Sequence, residues 1–276
     1  MSERGMQRGL ALGALALVQA RLDQARRVAP PGTTVHRLRA SDPWLAIDSL
    51  YTGTVMVDSL PVEVVAQDLG EKLNINSLAE NDIRSFFNYL LKDYAKATQL
   101  SQTIMDWRDA DSIPRPEGAE KDAYLKAGML ALPANAPFRE VDDLRNVMGM
   151  TPEIYAQASP YFTTRGTGTV NMNTAPVPVL RALPGMTDQT LNMILQLRSQ
   201  GRRIENIQQV FTALGGKNGG AGLLATQGVL APRVTVSTQT VQFVITARTG
   251  PQSQPTKLTA IINRVGTTAV ITNLVW

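Results

Sequence analysis

The sequence predicts an α+β fold in which an N-terminal helix packs on an antiparallel sheet and a large α-helical domain is inserted between strands. Three observations lead to this prediction. An amphipathic pattern begins near residue 6, segments rich in Val, Ile and Thr occur at 54–66 and again at 234–275, and the residues between them have helical spacing. The simplest architecture joins the first and last strands in one sheet and makes the helical block an insertion.

The N-terminal helix is predicted from apolar residues that recur at three- and four-residue steps, namely Met6, Leu10, Leu17 and Leu22. The longest apolar run, residues 9–18, is about half the length of a membrane span, which needs about 20 residues. A helix packed on the sheet is therefore favoured, and a truncated signal or anchor is the alternative. Residues 29–32 (Ala-Pro-Pro-Gly) are predicted to end the helix.

Strands are predicted on both sides of the helical block, and their positions set three domain segments. The predicted strands are 54–57, 60–66, 234–236, 241–248, 258–265 and 269–275. The segments are 1–77 for the N-terminal helix and first strands, 78–214 for the inserted helical domain, and 215–276 for the returning strands. A glycine-rich stretch at 215–228 marks the second boundary, and residues 108–137 are predicted to be a long structured loop.

The composition excludes several classes of enzyme. The chain has no cysteine, which rules out thiolate metal sites and cysteine nucleophiles. Its one histidine, His36, rules out a two-histidine zinc site. Residues 215–218 (Gly-Gly-Lys-Asn) fail the phosphate-loop pattern, because Phe211 and Asn218 replace its first glycine and its Ser/Thr. No enzyme constellation remains among these motifs.

An acidic loop at residues 106–122 holds six acids against three bases. Calcium takes six to eight oxygen ligands, and carboxylates at alternate positions of an extended loop can point at one ion. Asp109 and Asp111 are candidate paired ligands, and Glu117 and Glu120 could close the site after a turn at Gly118. The EF-hand signature is not met, and a solvated acidic loop is the alternative.

A second motif, at residues 170–198, resembles the helix-hairpin-helix element of non-specific DNA-binding proteins. Residues 183–185 (Leu-Pro-Gly) predict a sharp turn between two helices, and residues 165–217 carry six basic against two acidic residues. Met186 and Thr187, however, stand where the phosphate-binding hairpin usually has Ile-Gly. A helical-hairpin scaffold without nucleic acid is the preferred interpretation, and DNA binding is the alternative function.

Three segments together resemble the minor pseudopilin K family of type II secretion systems. They are Val62–Asn76, the stretch from Asp106 to Arg145, and the stretch from Pro160 to Leu180. The resemblance implies a pilin-like helix and sheet with an inserted helical domain, and a non-enzymatic role at the tip of the pseudopilus. It also implies minor pseudopilins I and J as partners, with secreted proteins as further candidates and no nucleic acid.

The resemblance further implies a calcium site in the acidic loop and a periplasmic protein anchored in the inner membrane of a Gram-negative bacterium. By motif position Asp109, Asp111 and Glu120 are the best matching ligands, and Lys121 stands where the family has Asp, with Asp122 one place on. Because a pseudopilin assembles through its N-terminal helix, Leu10, Leu17 and Leu22 are predicted partner contacts. The family's apolar N-terminal span is not seen, and we expect that the chain is a truncated form.

Overall fold

The computed structural model describes residues 2–24, 44, 47, 51–215, 221–266 and 268–276. The chain divides into two compact units, one formed by Met1–Leu69 with Ser237–Trp276 and the other by Gly70–Val236. The second unit is therefore inserted in the sequence of the first. The predicted helix end at 29–32, His36, and residues 216–220 of the glycine-rich stretch lie outside the described residues.

One antiparallel sheet forms the first unit, as the sequence predicts. The strands of the chain are β1 (Gly53–Val57), β2 (Leu60–Asp68), β3 (Leu73–Asn74), β4 (Phe162–Thr163), β5 (Val170–Asn171), β6 (Val234–Thr235), β7 (Thr240–Ala247), β8 (Thr256–Val265) and β9 (Thr268–Val275). Five of them form the sheet in the order β1-β2-β7-β8-β9. The pairing of β2 with β7, from Val62 opposite Ala247 to Asp68 opposite Val241, joins the two ends of the chain.

Helix α1 (Glu3–Gln24) packs on one face of this sheet. Every second residue of β2 and β7 points to that face, because side chains alternate along a strand. Small side chains on the helix allow a close approach: Ala11 and Ala14 are fully buried, and a Cβ on Gly13 would lie 2.7 Å from Val57 Cγ1. The helix, the sheet and the inserted helical unit together confirm the predicted fold class.

The buried face of α1 corrects the predicted partner contacts on this helix. Leu10 and Leu22 are 3% and 1% exposed and belong to the core of the first unit, so they are not available to a partner. Leu17 is 42% exposed, because the buried arc is centred on Ala14 and Val18 and Leu17 lies at its edge. Partner binding by Leu17 stays a prediction.

The inserted unit is mostly helical, and its core is separate from that of the first unit. Its helices are α2 (Glu80–Leu91), α3 (Tyr94–Arg108), α4 (Lys121–Lys126), α5 (Pro152–Ala158), α6 (Val177–Ala182), α7 (Asp188–Ser199), α8 (Ile207–Gly215) and α9 (Ala221–Leu230). Shorter 3-10 turns occupy Leu69–Glu71, Val141–Asn146, Ser159–Tyr161 and Ala231–Arg233. Phe86, Phe87 and Phe162 pack edge-on and tilted at the centre, with ring centroids 4.8–6.0 Å apart.

Two short parallel strand pairs place the boundaries of this unit differently from the sequence prediction. Strand β3 pairs with β4, which puts residues 70–77 in the helical unit rather than with the first strands. Strand β6 was expected in the main sheet but pairs with β5. Residues 221–236 therefore belong to the helical unit, and the unit ends at Val236 rather than at residue 214.

Candidate metal centre

The acidic loop starts where helix α3 ends. Asp93 caps the start of α3 by accepting a hydrogen bond from the Lys96 backbone N–H at 3.0 Å, and Asp109 ends it with an extended backbone. The loop then turns at residues 115–118, where the Gly118 N–H donates to the Arg115 carbonyl at 2.9 Å. Helix α4 follows directly and was not predicted, because its six residues are too few to show a helical period.

Three of the predicted ligands come together at this point. Asp109, Asp111 and Glu120 each offer a carboxylate oxygen, and these oxygens lie within 4.8 Å of one another. Because Ca²⁺–oxygen distances are about 2.3–2.6 Å, oxygens that share one calcium ion lie at most about 5 Å apart. The spacing of the three carboxylates therefore fits one ion.

Glu120 is the most buried of the three clustered carboxylates. Glu120 is 6% exposed, and neither carboxylate oxygen makes a hydrogen bond of normal geometry with the described residues, although the adjacent Lys121 backbone N–H lies close enough to lower its pKa slightly. It occupies the N-cap position of α4 but makes no cap hydrogen bond, so its carboxylate points elsewhere. Burial, and then the negative charges of Asp106, Asp109 and Asp111, raise the pKa of Glu120. A bound cation would offset both effects, because its positive charge favours the ionised form of this carboxylate.

Arg115 lies between the cluster and a buried acid that the sequence did not single out. Asp106 is 0% exposed and accepts hydrogen bonds from the Arg115 backbone N–H at 3.1 Å and from its guanidinium. The guanidinium nitrogen Nη1 of Arg115, which binds Asp106, is also 2.6 Å from Asp109 Oδ2. The other oxygen of this carboxylate, Asp109 Oδ1, is buried without a partner in the described structure. Asp106 is therefore paired within the chain, although its charge still raises the pKa of Glu120, and Asp109 keeps one oxygen for a ligand.

An aromatic cluster supports the loop from the core side. The rings of Trp107 and Phe138 stack with centroids 6.0 Å apart, and the ring of Tyr124 in α4 lies 5.9 Å from that of Trp107. The Tyr124 hydroxyl accepts a hydrogen bond from the Met148 N–H at 2.8 Å, and burial raises the pKa of Tyr124 to about 12. Both ends of the acidic loop are thus attached to buried aromatic residues.

The two remaining predicted ligands lie outside the cluster. Glu117 is exposed in the turn, where its backbone N–H donates to Gln102 Oε1 at 2.7 Å. Asp122 is exposed in the first turn of α4. The structure thus groups Asp109, Asp111 and Glu120 and leaves Glu117 and Asp122 at the surface.

The helical hairpin that suggested DNA binding is one of two similar hairpins. Residues 144–151 and 180–187 share the pattern Leu-Arg-x-x-x-Gly-Met-Thr, and both glycines have positive φ, 89° at Gly149 and 79° at Gly185. A Cβ on Gly149 would lie 3.1 Å from Lys96 Nζ, and one on Gly185 would lie 3.2 Å from the Thr226 carbonyl oxygen. The Gly185 turn of the hairpin that suggested DNA binding therefore lies against backbone of α9, which leaves a phosphate little room to approach it.

Comparison with known families then identifies the chain. Two family models match, both described as type II secretion system (T2SS), protein K, one over residues 71–167 and the other over 170–230. The chain belongs to the type II secretion system protein K family. The first matched stretch contains the whole acidic loop, and the second contains the second hairpin.

Curated members of the protein K family resemble parts of this chain. The type II secretion system protein K of Dickeya chrysanthemi is 35% identical over 51% of the chain, and that of Pseudomonas aeruginosa is 27% identical over 59% of it. The matches span 42% and 52% of those two proteins, so the chain covers about half the length of these relatives.

A solved structure with the same fold extends the likeness to the whole chain. It is a chain of the GspK-GspI-GspJ complex from the type 2 secretion system of enterotoxigenic Escherichia coli, with a TM-score of 0.70 over 99% of this chain and 96% of that one. At 14% identity this likeness shows the fold of protein K and no more. Within the described part of the chain, no helix is both long enough and apolar enough for a transmembrane span.

Proposed function

We propose that this chain is a minor pseudopilin that works at the tip of the type II secretion pseudopilus and has no enzymatic activity. The observation that carries the proposal is the match to two protein K family models over residues 71–167 and 170–230. The similar fold of a chain in the GspK-GspI-GspJ complex supports it. On this basis the I-type and J-type minor pseudopilins are the proposed partners, and secreted proteins are further candidates.

The insertion between strands of the sheet supports the proposed tip position. A filament of pilin-like subunits repeats one small unit, whereas this chain carries a helical unit with its own core between β2 and β7. In this proposal the inserted unit prevents a further subunit from packing above this one, so that the chain would cap the filament and begin its assembly. In this proposal the folded part lies in the periplasm, and an N-terminal segment anchors the protein in the inner membrane.

We also propose that the acidic loop binds one Ca²⁺ through Asp109, Asp111 and Glu120. The support is the grouping of three carboxylates and the buried oxygens of Asp109 and Glu120 that lack partners within the described residues. Calcium prefers such hard oxygen ligands and tolerates irregular geometry, with carbonyls and water completing its coordination. A bound ion would neutralise the crowded charges and tie the end of α3 to the start of α4.

Co-expression with the I and J pseudopilins of the same organism tests the assembly. We expect the three proteins to co-elute as one complex in size-exclusion chromatography, and Leu17→Glu on the exposed side of α1 to weaken it. Leu130→Glu is the matched control, because Leu130 is fully exposed in the helical unit, and this variant should leave the complex intact. Separate elution of the unmodified chain, or a band retarded with duplex DNA at low salt, would contradict the proposal.

A further inference from the structure

Arg115 is the one basic side chain that contacts the carboxylates of the proposed calcium site within the described structure. Its guanidinium is 2.6 Å from Asp109 Oδ2 and 3.5 Å from Glu80 Oε2, and it also binds Asp106. It is 28% exposed, so solvent screens these interactions only in part. A positive charge so close to a cation site needs an explanation, since it repels the ion.

The first part of the explanation is the buried charge of Asp106. A buried carboxylate without a partner is costly, and Arg115 supplies both a backbone N–H and a guanidinium to this one. The Arg115 charge is therefore shared among Asp106, Asp109 and, at the longer distance of 3.5 Å, Glu80. Its repulsion of a bound ion is correspondingly weak.

The second part is the orientation of Asp109. The guanidinium binds Oδ2 and leaves Oδ1 buried and without a partner in the described residues. One guanidinium nitrogen, Nη1, binds both Asp106 and Asp109. Because the guanidinium is planar, its Nε contact with Glu80 also fixes the direction of Nη1, which the flexible ammonium of a lysine would not do. Asp109 can therefore offer one oxygen, Oδ1, to an ion. Its side chain is already held in position by Arg115 before the ion binds.

We propose that Arg115 is a positioning residue for the cation site. Its guanidinium binds one oxygen of Asp109, so that the other oxygen stays available to the ion. Its backbone N–H binds Asp106, which holds the turn at residues 115–118 in place. The site is then largely formed in the absence of the ion, and binding does not have to order the loop. This inference rests on the proposed calcium site and adds to it a residue that is not itself a ligand.

Calcium titration of purified variants by calorimetry tests this role. We expect Arg115→Gln to weaken calcium binding about tenfold, the lower end of the effect of losing a residue that orients a metal ligand. Arg115→Lys keeps the charge but loses the planar guanidinium, and it should weaken calcium binding less than Arg115→Gln does. Arg181→Gln is the control, because Arg181 forms a surface ion pair with Asp188 and has no contact with the loop.

A double-mutant cycle separates positioning from a general structural effect. If Arg115 acts through Asp109, Arg115→Gln should cause little further loss of affinity in the Asp109→Asn background. Equal losses in both backgrounds, or unchanged or tighter binding by Arg115→Gln, would overturn the inference. If Arg115→Gln does not fold, unchanged affinity in Arg115→Lys would overturn it instead. Absence of calcium binding by the unmodified chain would refute the calcium site itself, which is a distinguishable result.

Discussion

Replacing Glu120 by glutamine is expected to abolish the stabilisation of this chain by calcium. Glu120 is the most buried of the three clustered carboxylates, and both its oxygens lack hydrogen-bond partners within the described structure. A ligand that binds only the folded state stabilises it by about 2.7 kcal/mol at a concentration of 100 Kd. The unmodified chain should therefore melt about 5–10 °C higher in calcium than in chelator, and Glu120→Gln should show no such difference.

The same variant should behave differently when calcium is removed. With no ion, the buried Glu120 carboxylate is repelled by Asp106, Asp109 and Asp111, as the raised pKa of Glu120 indicates. Glutamine removes this charge and with it the repulsion from the neighbouring carboxylates. We therefore expect Glu120→Gln to be at least as stable as the unmodified chain in chelator and less stable in calcium.

Thermal unfolding monitored by circular dichroism checks both expectations. Glu117→Gln is the matched control, because Glu117 belongs to the same loop but is exposed and lies outside the cluster. This control should keep the full calcium-dependent shift. A shift that survives in Glu120→Gln, or disappears in Glu117→Gln, would show that the ion binds elsewhere.

The second large effect is expected at Gly118, whose missing side chain leaves room for Asp106. A Cβ at this position would lie 1.9 Å from Asp106 Oδ2 and 3.1 Å from Arg115 Cβ. Alanine must therefore displace the buried carboxylate from the Arg115 guanidinium. Breaking a buried ion pair in this way typically costs about 3–5 kcal/mol, so Gly118→Ala should lose about that much free energy of unfolding.

Urea unfolding with tryptophan fluorescence measures this loss, since Trp107 directly follows Asp106 in the sequence and packs in the aromatic cluster. Gly228→Ala is the control, because Gly228 is an exposed residue of α9 with no atom within 4 Å of the added Cβ. It should gain up to about 1 kcal/mol from helix propensity. If Gly118→Ala matched this gain, the turn would not depend on Asp106.

The main sheet was predictable because its strands are long and carry a simple signal. Alternation in β2 and the Val/Ile/Thr content of β7, β8 and β9 arise from local requirements of a half-buried strand. The N-terminal and C-terminal strands were predicted to share one sheet because this is the simplest arrangement. The pairs β3–β4 and β5–β6 have two residues each, which is too short for any periodicity, so their partners are fixed only by the packing of the helical unit.

The metal site was predictable in its residue types but not in its full geometry. Five acids in one loop were candidates, and only the turn at 115–118 and the start of α4 decide that Glu120 points inwards and Glu117 outwards. The role of Asp106 and Arg115 was missed, because an ion pair between them depends on the folded loop. One available signal was the position of Arg115 between Pro114 and Pro116, which restrict the backbone around it.

The N-terminal helix shows a similar limit. Leucines at helical spacing predicted the amphipathic helix correctly, but they did not define its buried face. That face includes the small residues Ala11 and Ala14, which permit close packing on the sheet, and it excludes Leu17. Hydrophobicity alone assigns little weight to alanine, so the predicted buried face was centred too close to Leu17 and too far from Ala11 and Ala14.

Anomalous X-ray diffraction from crystals grown with calcium or terbium tests the cation site most directly. The account predicts one peak in the acidic loop, about 2.3–2.6 Å from oxygens of Asp109, Asp111 and Glu120, with Arg115 still bound to Asp106. An ordered loop without a peak, or a peak at Glu117 or Asp122 instead, would contradict it.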